Sequence, residues 1–279
     1  MRRWAGILGL LLLVTGCSSK FAYNNLDWIS YWYIDDYIDL SRLQKQQVDK
    51  KLNLWLSWHR KEELARYKQQ LETLKSLRYQ GPLTAGQWLE QFEQGREHWY
   101  RFRDRVIPDL VSLAHLISDE QVDSIFAELD KQNNKSIKRR QDKSANEKLE
   151  ERIEDTRENI EEFVGHLNAK QLDMIQQAAP QFNSAFKAWI AYRQAFQQAC
   201  KEMLLQREKM ADFDQQFLHL LGHPEEFQDQ SFISLVEQNR MLYARLVADI
   251  DQTLTPAQVA KLNRELDDLI EDLDDLIQH

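Results

Sequence analysis

The chain has 279 residues, with 36 Lys and Arg against 45 Asp and Glu and a formal charge of −9. That acidic balance argues against nucleic acid or anionic lipid as the main partner, and two cysteines are too few for a disulfide-stapled scaffold. Stability must come from apolar burial, and the length suffices for one large or two ordinary domains.

Arg2 and Arg3 precede an apolar run from Trp4 to Val14 and then Thr15-Gly16-Cys17, the three regions of a signal peptide. The run is shorter than the about 20 apolar residues that span a bilayer. Leu13-Val14-Thr15-Gly16-Cys17 resembles the bacterial lipobox. The resemblance implies cleavage before Cys17, a diacylglyceryl thioether on its sulfur and acylation of the new amine. Several acyl chains together anchor a protein firmly, because each buried CH₂ adds about 0.8 kcal/mol. Ser18 stands where an inner-membrane lipoprotein usually carries aspartate, so the resemblance points to the periplasmic face of the outer membrane. Residues 1–16 are then signal peptide, 17–25 the lipidated Cys17 with a short tether reaching at most about 28 Å, and 26–279 a helical periplasmic domain. Loss of Arg2 and Arg3 takes the formal charge from −9 to −11 and leaves Cys200 as the free thiol.

Residues 21–39, FAYNNLDWISYWYIDDYID, hold seven aromatic rings and four aspartates. Projected at 100° per residue, Leu26, Ile29, Tyr33, Tyr37 and Leu40 form a core face. Trp28, Tyr31, Trp32, Asp35 and Asp39 form a second face, too aromatic for solvent and too acidic for a plain core. Three roles stay open for it. It can pack between two helices with its carboxylates paired to Arg42, Lys45, Arg60 or Lys61. It can meet the membrane interface, although Asp27, Asp35, Asp36 and Asp39 oppose anionic lipid. It can wall a binding groove with Trp55 and Trp58. The candidate binding residues are Trp28, Tyr31, Trp32, Asp35, Asp39, Trp55 and Trp58.

Beyond this stretch the pattern is helical throughout, as in Leu64, Tyr67, Leu71, Leu74 and in Leu262, Leu266, Leu269, Leu273, Leu276. Only Gly81, Gly86, Gly95, Gly165 and Gly222 follow the signal segment, too few for the turns of a sheet protein. Five helix starts share one pattern: Leu40-Ser41 to Gln44, Leu83-Thr84 to Gln87, Ile117-Ser118 to Gln121, Leu167-Asn168 to Gln171 and Leu254-Thr255 to Gln258. In each the hydroxyl or amide caps an orphan N–H, the glutamine reaches back, and the aliphatic acts as a staple. Their irregular spacing marks helix starts and not repeats. The predicted helices cover 26–38, 42–79, 85–116 with a bend at Pro108, 119–165, 169–221 with a bend near Pro180, 230–252 and 256–277. The fold class is all-α: an elongated bundle of about six or seven helices, some over forty residues, in antiparallel hairpins. Between Lys131 and Lys143 a basic run with few apolar residues reads as a solvated hairpin tip or as a docking surface for an acidic partner. The C-terminal helix, rich in Asp and Glu from Glu265 to Asp275, is its internal candidate.

Catalytic and cofactor motifs fail in turn, with no His-Glu-x-x-His, no Gly-x-Ser-x-Gly, no phosphate loop and no dinucleotide fingerprint. The chain is therefore read as a non-enzyme without cofactor or metal. His219 and His223 are four apart, but Gly222 and Pro224 end the helix between them. Asp268, Asp272 and Asp275 form a solvated acidic face, and Cys200 a small buried hydrophobe.

The run from Phe21 to Trp28, then Tyr31 to Tyr37 and Trp55-Leu56-Ser57-Trp58-His59-Arg60 resembles a family of proteobacterial lipoproteins carrying a domain of unknown function. That family implies envelope localisation and a helical fold, and no activity. The Leu-Thr-x-x-Gln pattern, complete at Leu83–Gln87 and Leu254–Gln258, is similar to that of Spy-like and CpxP-like periplasmic chaperones and stress regulators. The expected function is that of a lipid-anchored protein that binds another envelope protein and does not bind nucleic acid. The alternatives are a Spy-like chaperone or an enzyme with an unrecognised carboxylate site.

Overall fold

The computed structural model describes residues 17–278, with side chains from Lys20 onward; residues 1–16, the expected signal peptide, and the side chain of Cys17 lie outside the described residues. Within them the chain forms eleven helices and no strand. In order these are α1 (Cys17–Asn24), α2 (Leu26–Ile34), α3 (42–79), α4 (Ala85–Ala114), α5 (Asp119–Gln141), α6 (Ala145–Val164), α7 (Ala169–Ala178), α8 (Phe186–Leu205), α9 (Phe213–Gly222), α10 (Gln230–Asp251) and α11 (Pro256–Gln278). The all-α class is as predicted. The count is higher than the predicted six or seven, and the longest helix, α3, has 38 residues.

Four differences account for the count, one of them α1, which forms in the stretch expected to be a tether. The predicted 119–165 helix breaks at Ser144, whose side chain forms a capping box with Glu147. The basic run therefore ends a helix: Lys143 and Arg140 meet Glu151, and Lys131 meets Glu128. The acidic C-terminal helix is matched elsewhere, with Lys75 on Asp267 and Lys68 on Asp274. At Pro180 the chain makes a 3-10 turn, Ala179–Gln181, and stops; the Arg152 guanidinium donates to the freed carbonyls of Ala179 and Phe182, each at 2.8 Å. A further break follows Leu205, where Arg207 donates to the carbonyls of Leu204 and Ile117 and pairs with Asp119. Arginine heads, buried at Arg207 and half-buried at Arg152, thus satisfy the helix ends where no glycine marks them. By contrast α4 continues through Pro108.

The centre is the antiparallel hairpin of α3 and α4, joined through Gly81 at a φ of 138° that favours glycine. Lys51 to Asp109, Glu63 to His98 and Gln70 to Gln91 tie it along its length. At its open end Ile107, Val111, Val122, Phe126, Leu204, Phe213 and Phe217 make one core from α4, α5, α8 and α9. At its turn end Ile160, Ile175, Leu246, Ile250, Leu262 and Leu266 make another from α6, α7, α10 and α11. The expected leucine stripe of α11 is buried from Leu262 to Leu276.

All five predicted Ser/Thr/Asn-x-x-Gln starts form capping boxes. Four of them also pair. Gln44 and Gln121 exchange side-chain amide bonds at 2.8 and 3.0 Å, and Gln171 and Gln258 do so at 3.0 Å each way. One rule holds in both pairs: each Nε2 also donates to the carbonyl two residues before its partner's cap, namely Leu116, Asp39, Thr253 and His166. The motifs therefore mark two equivalent junctions between helix starts, one at each end of the hairpin.

Candidate functional site

α1 is not a free tether. Lys20 pairs with Asp272 at 2.8 Å and with Asp275, both on α11, and those two carboxylates push its pKa up. Tyr23 meets His59 Nδ1 at 2.9 Å, and Arg60 stacks over the Tyr23 ring while donating to Asn24 Oδ1 and the Leu276 carbonyl. Further along, the Tyr31 hydroxyl donates to the Lys45 carbonyl and to Asp49. The order of these partners lays α1 and α2 antiparallel along the first half of α3.

The predicted site residues do not converge. Trp28 and Trp32 are 68% and 66% exposed, and Asp35 and Asp39 are exposed with no ion pair among the described residues. Arg60, one of the four bases named as candidate partners for them, serves Asn24 instead. Trp55 donates to Asp109 of α4 at 2.8 Å and is a structural pin. Trp58 lies edge-on to His59. The face expected to be core is also revised: no residue of α2 is buried, Tyr33 is 46% exposed, and Ile38 is buried instead. The helix ends at Ile34, so Tyr37 and Leu40 leave that projection; Tyr37 donates to Gln132 of α5.

Sequence reasoning missed a buried polar network beside the arm. Between Trp58 and Leu64, α3 makes one π turn, His59–Glu63, closed by the Leu64 N–H on the His59 carbonyl. This extra residue per turn places His59, Glu63 and Tyr67 on the inner side together, a device often found at functional sites. Glu63 is wholly buried. Arg101 Nε donates to both of its oxygens at 3.0 and 3.2 Å. His98 Nδ1 lies 2.6 Å from Glu63 Oε1 and 2.6 Å from Arg101 Nη2: with a proton it donates to the carboxylate, without one it accepts from the guanidinium. Its Nε2–H donates to Gln70 Oε1, whose amide nitrogen serves the Gln91 carbonyl. Burial pushes the Glu63 pKa up, but hydrogen bonds from His98 and Arg101 outweigh it and hold the carboxyl below its usual range.

His59 sits between two tyrosine hydroxyls, Tyr23 at Nδ1 and Tyr67 at Nε2, and burial lowers its pKa to about 4. As pH falls the unfolded chain takes up this proton first, so His59 contributes stability that is full above about pH 6.5 and is lost toward pH 4. Glu63, also depressed, loses its contribution in the same direction at lower pH. Stability in urea is expected to fall by up to roughly 1.4 kcal/mol per pH unit in the His59 window. His59→Phe should flatten that part of the profile. An unchanged slope in the variant would remove His59 as its source.

Elsewhere, Gly222 ends α9 as expected, and His219 and His223 stack at 4.4 Å with His223 bonded to the His219 carbonyl. No cluster of three metal-ligating side chains occurs among the described residues. Cys200 is buried, and its thiol is pushed up to about 12 by that burial.

These features define an all-helical bundle with a docked N-terminal arm and an internal charged network. The chain belongs to the DUF6279 family of unknown function, whose model matches residues 36–232. The arm, α1 and α2, precedes that match, and most of α10 and all of α11 follow it. No curated protein and no solved structure matches the chain.

Proposed function

We propose that this is a lipid-anchored protein on the periplasmic face of the outer membrane, acting by holding another envelope protein and not by catalysis. The observation that carries the reading is the clamped α1. The residues directly after Cys17 are built into α3 and α11 through Lys20, Tyr23 and Asn24, so an acyl group on Cys17 would hold the body at a set place near the bilayer. The strongest charged network supports the same reading, because Glu63, His98 and Arg101 are spent on one another inside the hairpin. Asp35 and Asp39, exposed at the end of the arm, are the candidate contact residues for the partner.

Photoreactive residues at 35 and 39 in intact cells are expected to trap one dominant envelope protein, and mass spectrometry should find acyl groups on Cys17. A spread of unrelated captured chains would favour the Spy-like chaperone reading. An unmodified Cys17 would sink the anchoring.

A further inference from the structure

We infer that α1 and α2 form a membrane-facing arm, whose exposed rings Phe21, Trp28 and Trp32 lie in the interface of the bilayer that holds the acyl chains. This rests on the anchoring proposed above and names what that segment touches first. Asn25 is the single residue between the two helices, and its backbone, at φ −119° and ψ 23°, is not helical, so each helix is projected by itself. At about 100° per residue, Phe21 falls about 160° from Tyr23 and about 100° from Lys20 on α1, and Trp28 and Trp32 share a stripe about 60° to 100° from Tyr31 on α2. On each helix the exposed rings therefore lie on one stripe, and Lys20, Tyr23 and Tyr31, which bind the body, on another. The two stripes have separate surroundings. The second is bonded to α3 and α11, whereas on the first Phe21, Trp28 and Trp32 are 69%, 68% and 66% exposed.

Three rings exposed to that extent make a patch on the order of a few hundred Å², the size that marks an interaction surface. A bilayer is the occupant that the covalent chemistry brings to it, since an acylated Cys17 places lipid one helical turn from Phe21. Tryptophan and phenylalanine suit the headgroup boundary. Asp27 projects on the side of Tyr31, whereas Asp35, still helical at the C-cap and seven residues after Trp28, shares the tryptophan face at its far end, where its carboxylate must stay in the hydrated headgroup layer. Phe21 lies on α1 and the two tryptophans on α2, so simultaneous contact requires the arm to run along the membrane surface. The first half of α3, antiparallel to the arm, then lies parallel to the bilayer with the rest of the hairpin above it.

The test uses the acylated protein reconstituted into phosphatidylcholine vesicles whose acyl chains carry bromine near the glycerol end. Seven tryptophans follow the signal segment, so quenching of Trp28 and Trp32 should remove about a quarter of the emission. W28F/W32F should lose that quenching while staying vesicle-bound. The mass of the N-terminal peptide reports acylation separately, and an unmodified Cys17 would overturn both the anchoring and this inference. An acylated, vesicle-bound chain with unquenched emission, or with residue 32 photocrosslinking to a second copy or another protein, would overturn this inference alone.

Discussion

Replacing Glu63 with alanine is expected to destabilise the protein by about 3 kcal/mol, read as a lower urea midpoint at unchanged slope. The carboxylate is wholly buried and holds two cationic or donor groups, Arg101 and His98. Removing it leaves His98 inside the hairpin without its acceptor. The range for breaking a buried pair is about 3–5 kcal/mol, and the lower end applies because Arg101 is about one-third exposed at 31%. Glu63→Gln keeps the shape and one acceptor oxygen, so about 1–2 kcal/mol is expected. The loss should also reach the arm. The Tyr67 ring stands edge-on to His98 at 4.2 Å, and its hydroxyl meets His59, which in turn holds Tyr23 of α1. Faster proteolysis within residues 20–34 of Glu63→Ala than of Glu63→Gln would support that coupling. Equal stability of Glu63→Ala and the parent chain would show that the network does not hold the hairpin.

Much of the helical plan was legible because capping is local. Each Ser, Thr or Asn with glutamine three residues on produced a helix start. The start at Ser144 was equally visible in Ser144-Ala145-Asn146-Glu147, but it uses glutamate in place of glutamine. The break after Leu205 carries no such mark: no glycine or proline lies between Gln206 and Asp212, and the helix ends because distant Ile117 and Asp119 give Arg207 its partners. The same distinction divides the site. A projection beginning at Leu26 assigns the inner face wrongly, because the helix ends at Ile34 and Tyr31 makes the contact with α3. The Glu63 network could not be read from spacing. Its members lie 35 and 38 residues apart on opposing helices, and the π turn that brings His59 and Glu63 inward leaves no compositional trace.

The capping glutamines separate what a motif does locally from what the fold adds to it. Gln87 caps Thr84 and, among the described residues, has no glutamine partner. Gln171 fills the same position in its own motif but is wholly buried, bonded to Gln258 and to the Thr253 carbonyl. Gln87→Ala is therefore expected to lose only the reciprocal half of a capping box, about 0.5–1 kcal/mol. Gln171→Ala strands the Thr253 carbonyl, the Asn168 N–H and part of Gln258 without water, so about 2–3 kcal/mol is expected. Gln258→Ala should cost about the same, since it strands the Thr255 N–H and the His166 carbonyl. The double variant should fall short of the sum by about 1 kcal/mol, because the two exchanged amide bonds are counted in both single losses. Urea unfolding of the four chains measures this coupling. Additive losses, or a Gln87→Ala cost equal to that of Gln171→Ala, would mean that the exchanged amides add nothing. The motif would then act as a cap alone, and the two junctions at the ends of the hairpin would owe their stability to their leucine and isoleucine cores.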